Sequence, residues 1–222
     1  VAVLDLIGDA ADDQAASIAS AAGVATMGIG VDATSDEGLR SALDRIVAEW
    51  GRVDILLNAP GINSGTPVFE LSREEWDKIL AVNLTSYFLA SQVFGRQMVE
   101  QGNGGSIINI SSASSGPPLS KVFTYSITKA GVNNMTQFLA REWAPDRVRV
   151  NAVAPGFFPA EQNRKLLTPE RTADIMRHTP MNRFGEAEEL AGAVVWLASE
   201  NASGFVTGSL VRVDGGFTAM TI

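Results

Sequence analysis

The chain has 222 residues with a formal net charge of −8; 45% are hydrophobic, 19% are charged, none is cysteine and one is histidine. That acidity argues against a nucleic-acid binder or docking on an anionic membrane, and the apolar content suits a chain that buries a core. Without cysteine there are no disulfides, thiolate metal sites or cysteine nucleophiles, and the lone His178 excludes a multi-histidine site, so no metal is expected.

Val1–Asp5 is a short apolar run closed by an acid, and Ala11–Ala22 reads as an alanine-rich helix. Val24–Val31 is strand-like and ends at Asp32. Ser35–Trp50 has helical spacing, with Leu39, Leu43, Ile46 and Val47 on one stripe and Ser35 as N-cap. Val53–Leu57 is a strand stopped by Asn58-Ala59-Pro60-Gly61, and one long helical region covers Ser72–Gln101. Ser106–Ile110 is a strand, Phe123–Trp143 a helix, and Val148–Val153 a strand closed by Pro155-Gly156. Glu186–Ser199 is helical, and Leu210–Val213 is the last strand. Short, continuously apolar strands separated by helices predict an α/β fold of the Rossmann type: one domain over residues 1–222, with a doubly wound parallel sheet. Phe157–Asn182, with Pro159, Pro169 and Pro180, is the least regular segment. It lies beyond a strand's carboxyl end, where such sheets bind ligands. No apolar run reaches the ~18 residues of a spanning helix, and the chain opens on no signal-peptide pattern, so the default expectation is a soluble cytoplasmic protein.

Tyr125 and Lys129 lie four apart in a helical pattern and so share a face. An ammonium near a phenol favours the phenolate and lowers its pKa, which would suit the tyrosine to acid–base work. Otherwise the two are a surface pair. Ser112, at the end of a buried strand, can hold a substrate oxygen beside the tyrosine; alone, such a serine is more often a turn residue.

Ser112, Tyr125-Ser-Ile-Thr-Lys129, Asn58-Ala-Pro-Gly61, Asn83 in Val82-Asn83-Leu84, and Pro155-Gly156 resemble, in order and spacing, the short-chain dehydrogenase/reductase family over essentially the whole chain. The resemblance implies a nicotinamide cofactor and carbonyl–alcohol interconversion. Tyr125 would be the general acid/base, with Lys129 lowering its pKa and bonding the nicotinamide ribose. Ser112 would orient the substrate oxygen, and Asn83 would hold a water in a proton relay. Asn83 read alone is a helix kink or cap. Asp5 would bond the adenosine ribose and repel a 2′-phosphate, so NAD is favoured over NADP. Asp32 and Ala33 would meet the adenine edge. Asn58, Ala59, Pro60 and Gly61 would line the adenosine side of the cleft, and Pro155, Gly156 and Phe158 the nicotinamide side.

Two departures stand out. Ala59 and Pro60 replace the family's usual asparagine and alanine, and Ala160 stands where a threonine often contacts the carboxamide. The family also begins with a strand, a glycine-rich turn and a helix before the strand that here ends at Asp5. Gly28-Ile-Gly30-Val-Asp-Ala33 is the nearest glycine pattern, but it lies inside a strand and is rejected as a fingerprint. The expectation is therefore a sequence lacking an N-terminal strand–turn–helix of roughly 30 residues, with weak cofactor binding as its consequence.

The stretch Gly156 to Arg164 resembles sugar-acid members of the family, of the gluconate 5-dehydrogenase and mannonate oxidoreductase types. Arg164 would clamp a carboxylate, Gln162 and Asn163 would bond hydroxyls, and Ser114 would face the substrate; otherwise the first three cap a short helix. His178 reads as a loop residue rather than a catalyst. The segment Glu186–Gly216 resembles the family's tetramer-forming elements, and Val194, Val195, Trp196 and Leu197 are too many for one buried stripe, so a homo-oligomer (tetramer or dimer) is expected. A small-molecule substrate, with no nucleic acid and no membrane, completes the reading. Two alternatives stay open: a 3-oxoacyl thioester reductase of the same family, and a non-catalytic binding protein that kept the fold.

Overall fold

The computed structural model describes residues 1–117, 119–159 and 167–220. Strands and helices alternate along the chain: β1 (Ala2–Asp5), α1 (Gly8–Ala22), β2 (Met27–Gly30), α2 (Asp36–Trp50), β3 (Ile55–Asn58), α3 (Arg73–Leu80), α4 (Ser86–Glu100), β4 (Gly105–Ile110), α5 (Phe123–Trp143), β5 (Val148–Pro155), α6 (Pro169–His178), α7 (Ala187–Ala198), α8 (Glu200–Ser203) and β6 (Leu210–Val213). Every strand pairing is parallel. Among the described residues β1 pairs with β2, and β3-β4-β5-β6 form a four-stranded sheet.

The two sheets share one core. Ile29 of β2, Leu39, Ala42 and Ile46 of α2, Phe94 and Met98 of α4, and Val148 and Val150 of β5 pack in a single buried cluster. On the other face of the four-stranded sheet, Ile108 and Val153 meet Leu197 of α7. Helices therefore cover both faces, which is why the first seven residues of β5 are all buried. Ser35 caps α2 as its position predicts, its hydroxyl accepting from Gly38 N at 3.0 Å. α1 approaches β2 closely at Gly28, where an added Cβ would fall 2.6 Å from Asp12 Cα. That glycine thus serves helix–strand packing, in line with its rejection as a phosphate loop.

Three boundaries differ from the sequence expectation. β2 is shorter than Val24–Val31, because its ladder can run only as far as its partner, from Ala2↔Met27 to Asp5↔Gly30. The expected single helix over Ser72–Gln101 is divided into α3 and α4 by a π-helical turn at Ala81–Thr85. The irregular segment Phe157–Asn182 contains α6: Thr168 caps it, accepting from Arg171 N at 3.2 Å, and Pro169 takes the first position, where its missing N–H costs nothing. No helix among the described residues is long and apolar enough to cross a membrane.

Candidate active site

The carboxyl ends of the parallel strands form one edge. It carries Asp5 after β1, Asp32 beyond β2, Asn58–Gly61 at β3, Ser111–Ser112 after β4 and Pro155–Gly156 at β5. α5 packs across this edge and brings Tyr125 and Lys129, one turn apart, over the end of β4.

Lys129 is 2% exposed. Its Nζ donates to the Tyr87 hydroxyl at 2.9 Å and to the Ile110 carbonyl at 2.7 Å, and lies 5.6 Å from the Tyr125 ring centroid. Tyr87 comes from α4 and is fully buried; its hydroxyl lies within donating distance of the Pro60 carbonyl at 3.1 Å and the Ile110 carbonyl at 2.9 Å. One lysine head thus ties α5 to α4 and β4, and through Tyr87 to the loop after β3.

A polar network holds the neighbouring serine. Ser112 Oγ accepts from the amide and the hydroxyl of Ser114, both at 3.1 Å. Ser111 Oγ donates to Asn133 Oδ1 at 2.5 Å, Asn133 Nδ2 donates to Ser115 Oγ at 2.8 Å, and Ser115 Oγ donates to the Ser112 carbonyl at 2.6 Å. Asn133 lies on the same helix as Tyr125, so the loop that carries Ser112 is fixed against the helix that carries the phenol.

Asn83 sits in the π-helical turn, fully buried. Its side chain accepts from Ile62 N and donates to Ile62 O, both at 2.8 Å. Each end of the amide side chain is thus tied to the loop after β3, and one N–H and one oxygen lone pair are left for the expected water. Asn58 is committed too: its Nδ2 donates to Asn109 Oδ1 at 2.9 Å and to Ser91 Oγ at 3.3 Å.

The electrostatics depart from expectation. Burial pushes the Tyr125 phenol above its ordinary pKa, only partly opposed by the Ser112 hydroxyl beside it. Burial also pulls the Lys129 ammonium down to about 7. The reading in which Lys129 depresses the Tyr125 pKa is not met in this arrangement. The lysine is itself desolvated, so it offers a weakened positive charge, while the phenolate would be as poorly solvated as the ammonium. Tyr125 is a protonated phenol at neutral pH, poised to donate.

A cavity of about 490 Å³, within the range of small-molecule sites, opens over these groups. Ser112, Ser114, Tyr125 and Lys129 share its wall. Of the expected cofactor contacts, Ala59, Gly61, Gly156 and Phe158 also line it. Asn58, Pro60, Asn83 and Pro155 are not on this wall, and Asp5, Asp32 and Ala33 lie away from it, at the ends of β1 and β2. Asp5 Oδ1 accepts from Ile7 N at 2.9 Å, and Asp32 Oδ1 accepts from the Thr34 amide and hydroxyl, which lowers its pKa. Gln162, Asn163, Arg164 and Ala160 lie outside the described residues. His178 is the last residue of α6 rather than a loop residue; its Nδ1 stands 2.9 Å from the Asp174 carbonyl, and it is absent from the cavity wall.

Sequence reasoning missed Tyr87, Asn133 and Arg171, the last a cavity-lining residue of α6. Tyr87 carried a signal: it is one of only two tyrosines, and it lies one turn after Asn83.

A family model described as enoyl-(acyl carrier protein) reductase matches residues 1–218. The chain is 39% identical over 184 residues to 2-dehydro-3-deoxy-D-gluconate 5-dehydrogenase of Escherichia coli (strain K12), covering 82% of this chain and 72% of that protein. It is 36% identical over 193 residues to NAD-dependent glycerol dehydrogenase of Listeria innocua, covering 87% and 75%. The crystal structure of a gluconate 5-dehydrogenase from Burkholderia cenocepacia J2315, in complex with NADP and tartrate, superposes with a TM-score of 0.94 at 32% identity, covering 99% of this chain and 86% of that one. With its parallel α/β fold, and with serine, tyrosine and lysine on one cavity wall, the chain belongs to the short-chain dehydrogenase/reductase family of oxidoreductases.

Proposed function

We propose that the protein interconverts a secondary alcohol and a ketone on a sugar acid or polyol, using NAD in preference to NADP, with Tyr125 as general acid/base. The observation that carries this reading is the common wall of Ser112, Tyr125 and Lys129 in one cavity. The residues also fit a dinucleotide. An ammonium has three donors, and Lys129 spends two within the protein, leaving one for a ribose hydroxyl. Gly61 presents bare backbone to the same space, where an added Cβ would touch Lys129 Nζ at 3.8 Å.

The cofactor supplies or accepts a hydride. The chain's own groups manage the charge and the proton at the substrate oxygen. Ser112 Oγ and Tyr125 Oη converge on that oxygen, where negative charge grows as a carbonyl is reduced. Tyr125, protonated by its buried setting, gives its proton to the oxygen, and in the reverse direction takes it back. Ser114 holds Ser112 Oγ by two hydrogen bonds, fixing its direction. A water at Asn83 would be held by the N–H and the lone pair that the Ile62 bonds leave free. The carboxylate of Asp5, at the end of β1, favours ribose hydroxyls and opposes a 2′-phosphate, which supports NAD, and Asp32, beyond the adjacent strand, would meet the adenine edge.

A panel of sugar acids, polyols and simple ketones assayed with NAD(H) and NADP(H) tests the proposal. Turnover of sugar acids or polyols with a higher kcat/KM for NAD is expected. Turnover confined to other substrate classes, or a preference for NADP, contradicts it.

A further inference from the structure

The cavity has an electrostatic character that the chain as a whole does not share. The protein carries −8, yet the described wall of this cavity holds two cations, Lys129 and Arg171, and no carboxylate. Lys129 faces the reacting end with Tyr125. Arg171 stands in the first turn of α6, with Leu167, just before the helix, on the same wall. Its guanidinium reaches the loop before α5: Nη1 donates to Ser120 Oγ at 3.2 Å and Nη2 to the Ser120 carbonyl at 3.1 Å. These are neutral acceptors, and Arg171 stands in none of the ion pairs found among the described residues. A guanidinium has five N–H donors, so three remain for a ligand. The two bonds to Ser120 hold the head in one place, which removes part of the entropy cost of binding an anion.

Resting on the oxidoreductase reading above, we propose that Arg171 is the specificity-determining residue of this site. It binds the carboxylate of an anionic substrate and so selects sugar acids over uncharged polyols. A planar guanidinium, held by its bonds to Ser120, suits a carboxylate better than a flexible ammonium would. Arg171 comes from α6, an element apart from those that carry Ser112 and Tyr125, so it would read one end of a chain whose other part meets those two residues. A phosphate of the dinucleotide carries the same anionic chemistry, and the test separates the two sources.

D-gluconate and D-sorbitol share six carbons and differ in one end group, carboxylate against hydroxymethyl. Each is titrated calorimetrically into the enzyme–NADH complex, where an alcohol cannot react. We expect the wild-type complex to bind gluconate at least about tenfold more tightly than sorbitol. Arg171→Gln should erase that ratio, Arg171→Lys should restore part of it, and Ser120→Ala, which removes one latch acceptor and keeps the cation, should preserve it. The NADH affinity of all four proteins, read by fluorescence, should agree within about threefold. The proposal is overturned if wild type shows no gluconate preference, or if Arg171→Gln weakens both ligands alike, the sign of a latch only. It is also overturned if the loss falls on NADH, which would assign the cation to the dinucleotide. Turnover of the same compounds is scored separately. A gluconate preference without turnover of any sugar acid or polyol would defeat the oxidoreductase reading and leave the anion site standing; turnover without preference would do the reverse.

Discussion

At the scale of single residues, the balance at Lys129 is the most consequential. Its folded pKa of about 7 lies below the ordinary 10.5, so between those values the unfolded chain holds more protons than the folded one. Stability therefore rises with pH across this window, and the cost of burying the ammonium is fully present below it. Lys129→Met removes that cost without orphaning its partners, since the Tyr87 hydroxyl still has carbonyls to donate to. We expect it to abolish turnover and to raise Tm by about 2–4 °C near neutral pH, for about 1 kcal/mol relieved, with the gain shrinking toward about pH 9.5. Thermal melts of both proteins across that range check the sign; a variant less stable at every pH would refute it. The raised Tyr125 pKa makes a second prediction. Oxidation needs the phenolate, so its kcat/KM should rise with pH between about 6 and 9, while reduction, which uses the phenol, should not. An oxidation rate that falls over this range would oppose the acid/base assignment.

At the scale of elements, α5 was the most legible part of the chain. Its bounds were read as Phe123–Trp143 and observed so, and the Tyr125–Lys129 spacing needs only one helix to be understood. What α5 leans on was not legible, because those partners come from other elements. Tyr87 arrives from α4, and Asn133 meets Ser111 and Ser115 only once β4 and α5 have docked. α6 lay inside the segment that reads as least regular, with Pro169 among its three prolines, yet after the Thr168 cap that proline starts a helix. The resemblance of Gly156 to Arg164 to sugar-acid members drew the carboxylate clamp to Arg164, and Arg171 was passed over. The Asn133 network gives a prediction at this scale. Asn133→Ala leaves Ser111 and Ser115 short of a partner and loosens the Ser112 loop. Tm should fall by about 2–4 °C and kcat/KM by about tenfold, with NADH affinity little changed. Unaltered kinetics in the folded variant would show that the network does not position Ser112.

At the scale of the whole molecule, the alternation of apolar runs with helices was enough to give the parallel α/β class, and the strand ends gave the edge on which the site lies. The two-sheet arrangement was less apparent, because pairing between strands distant in sequence leaves no mark in either strand alone. The apolar excess on α7 is resolved by its surroundings. Leu197 is buried and Val194 packs on the core, while Val195 of the same helix remains 66% exposed. We expect this face to join copies of the chain. Sedimentation should find a homo-oligomer at micromolar concentration and a smaller species for Val195→Glu; a wild-type monomer would contradict it. The acid of the site remains the centre of the account, and Tyr125→Phe examines it most directly, by keeping the ring and removing one hydroxyl. The variant should bind NADH within about twofold of wild type and lose turnover by about 10²–10⁴-fold. Turnover kept within about tenfold, in a variant that binds cofactor normally, would contradict the role of Tyr125 as general acid/base.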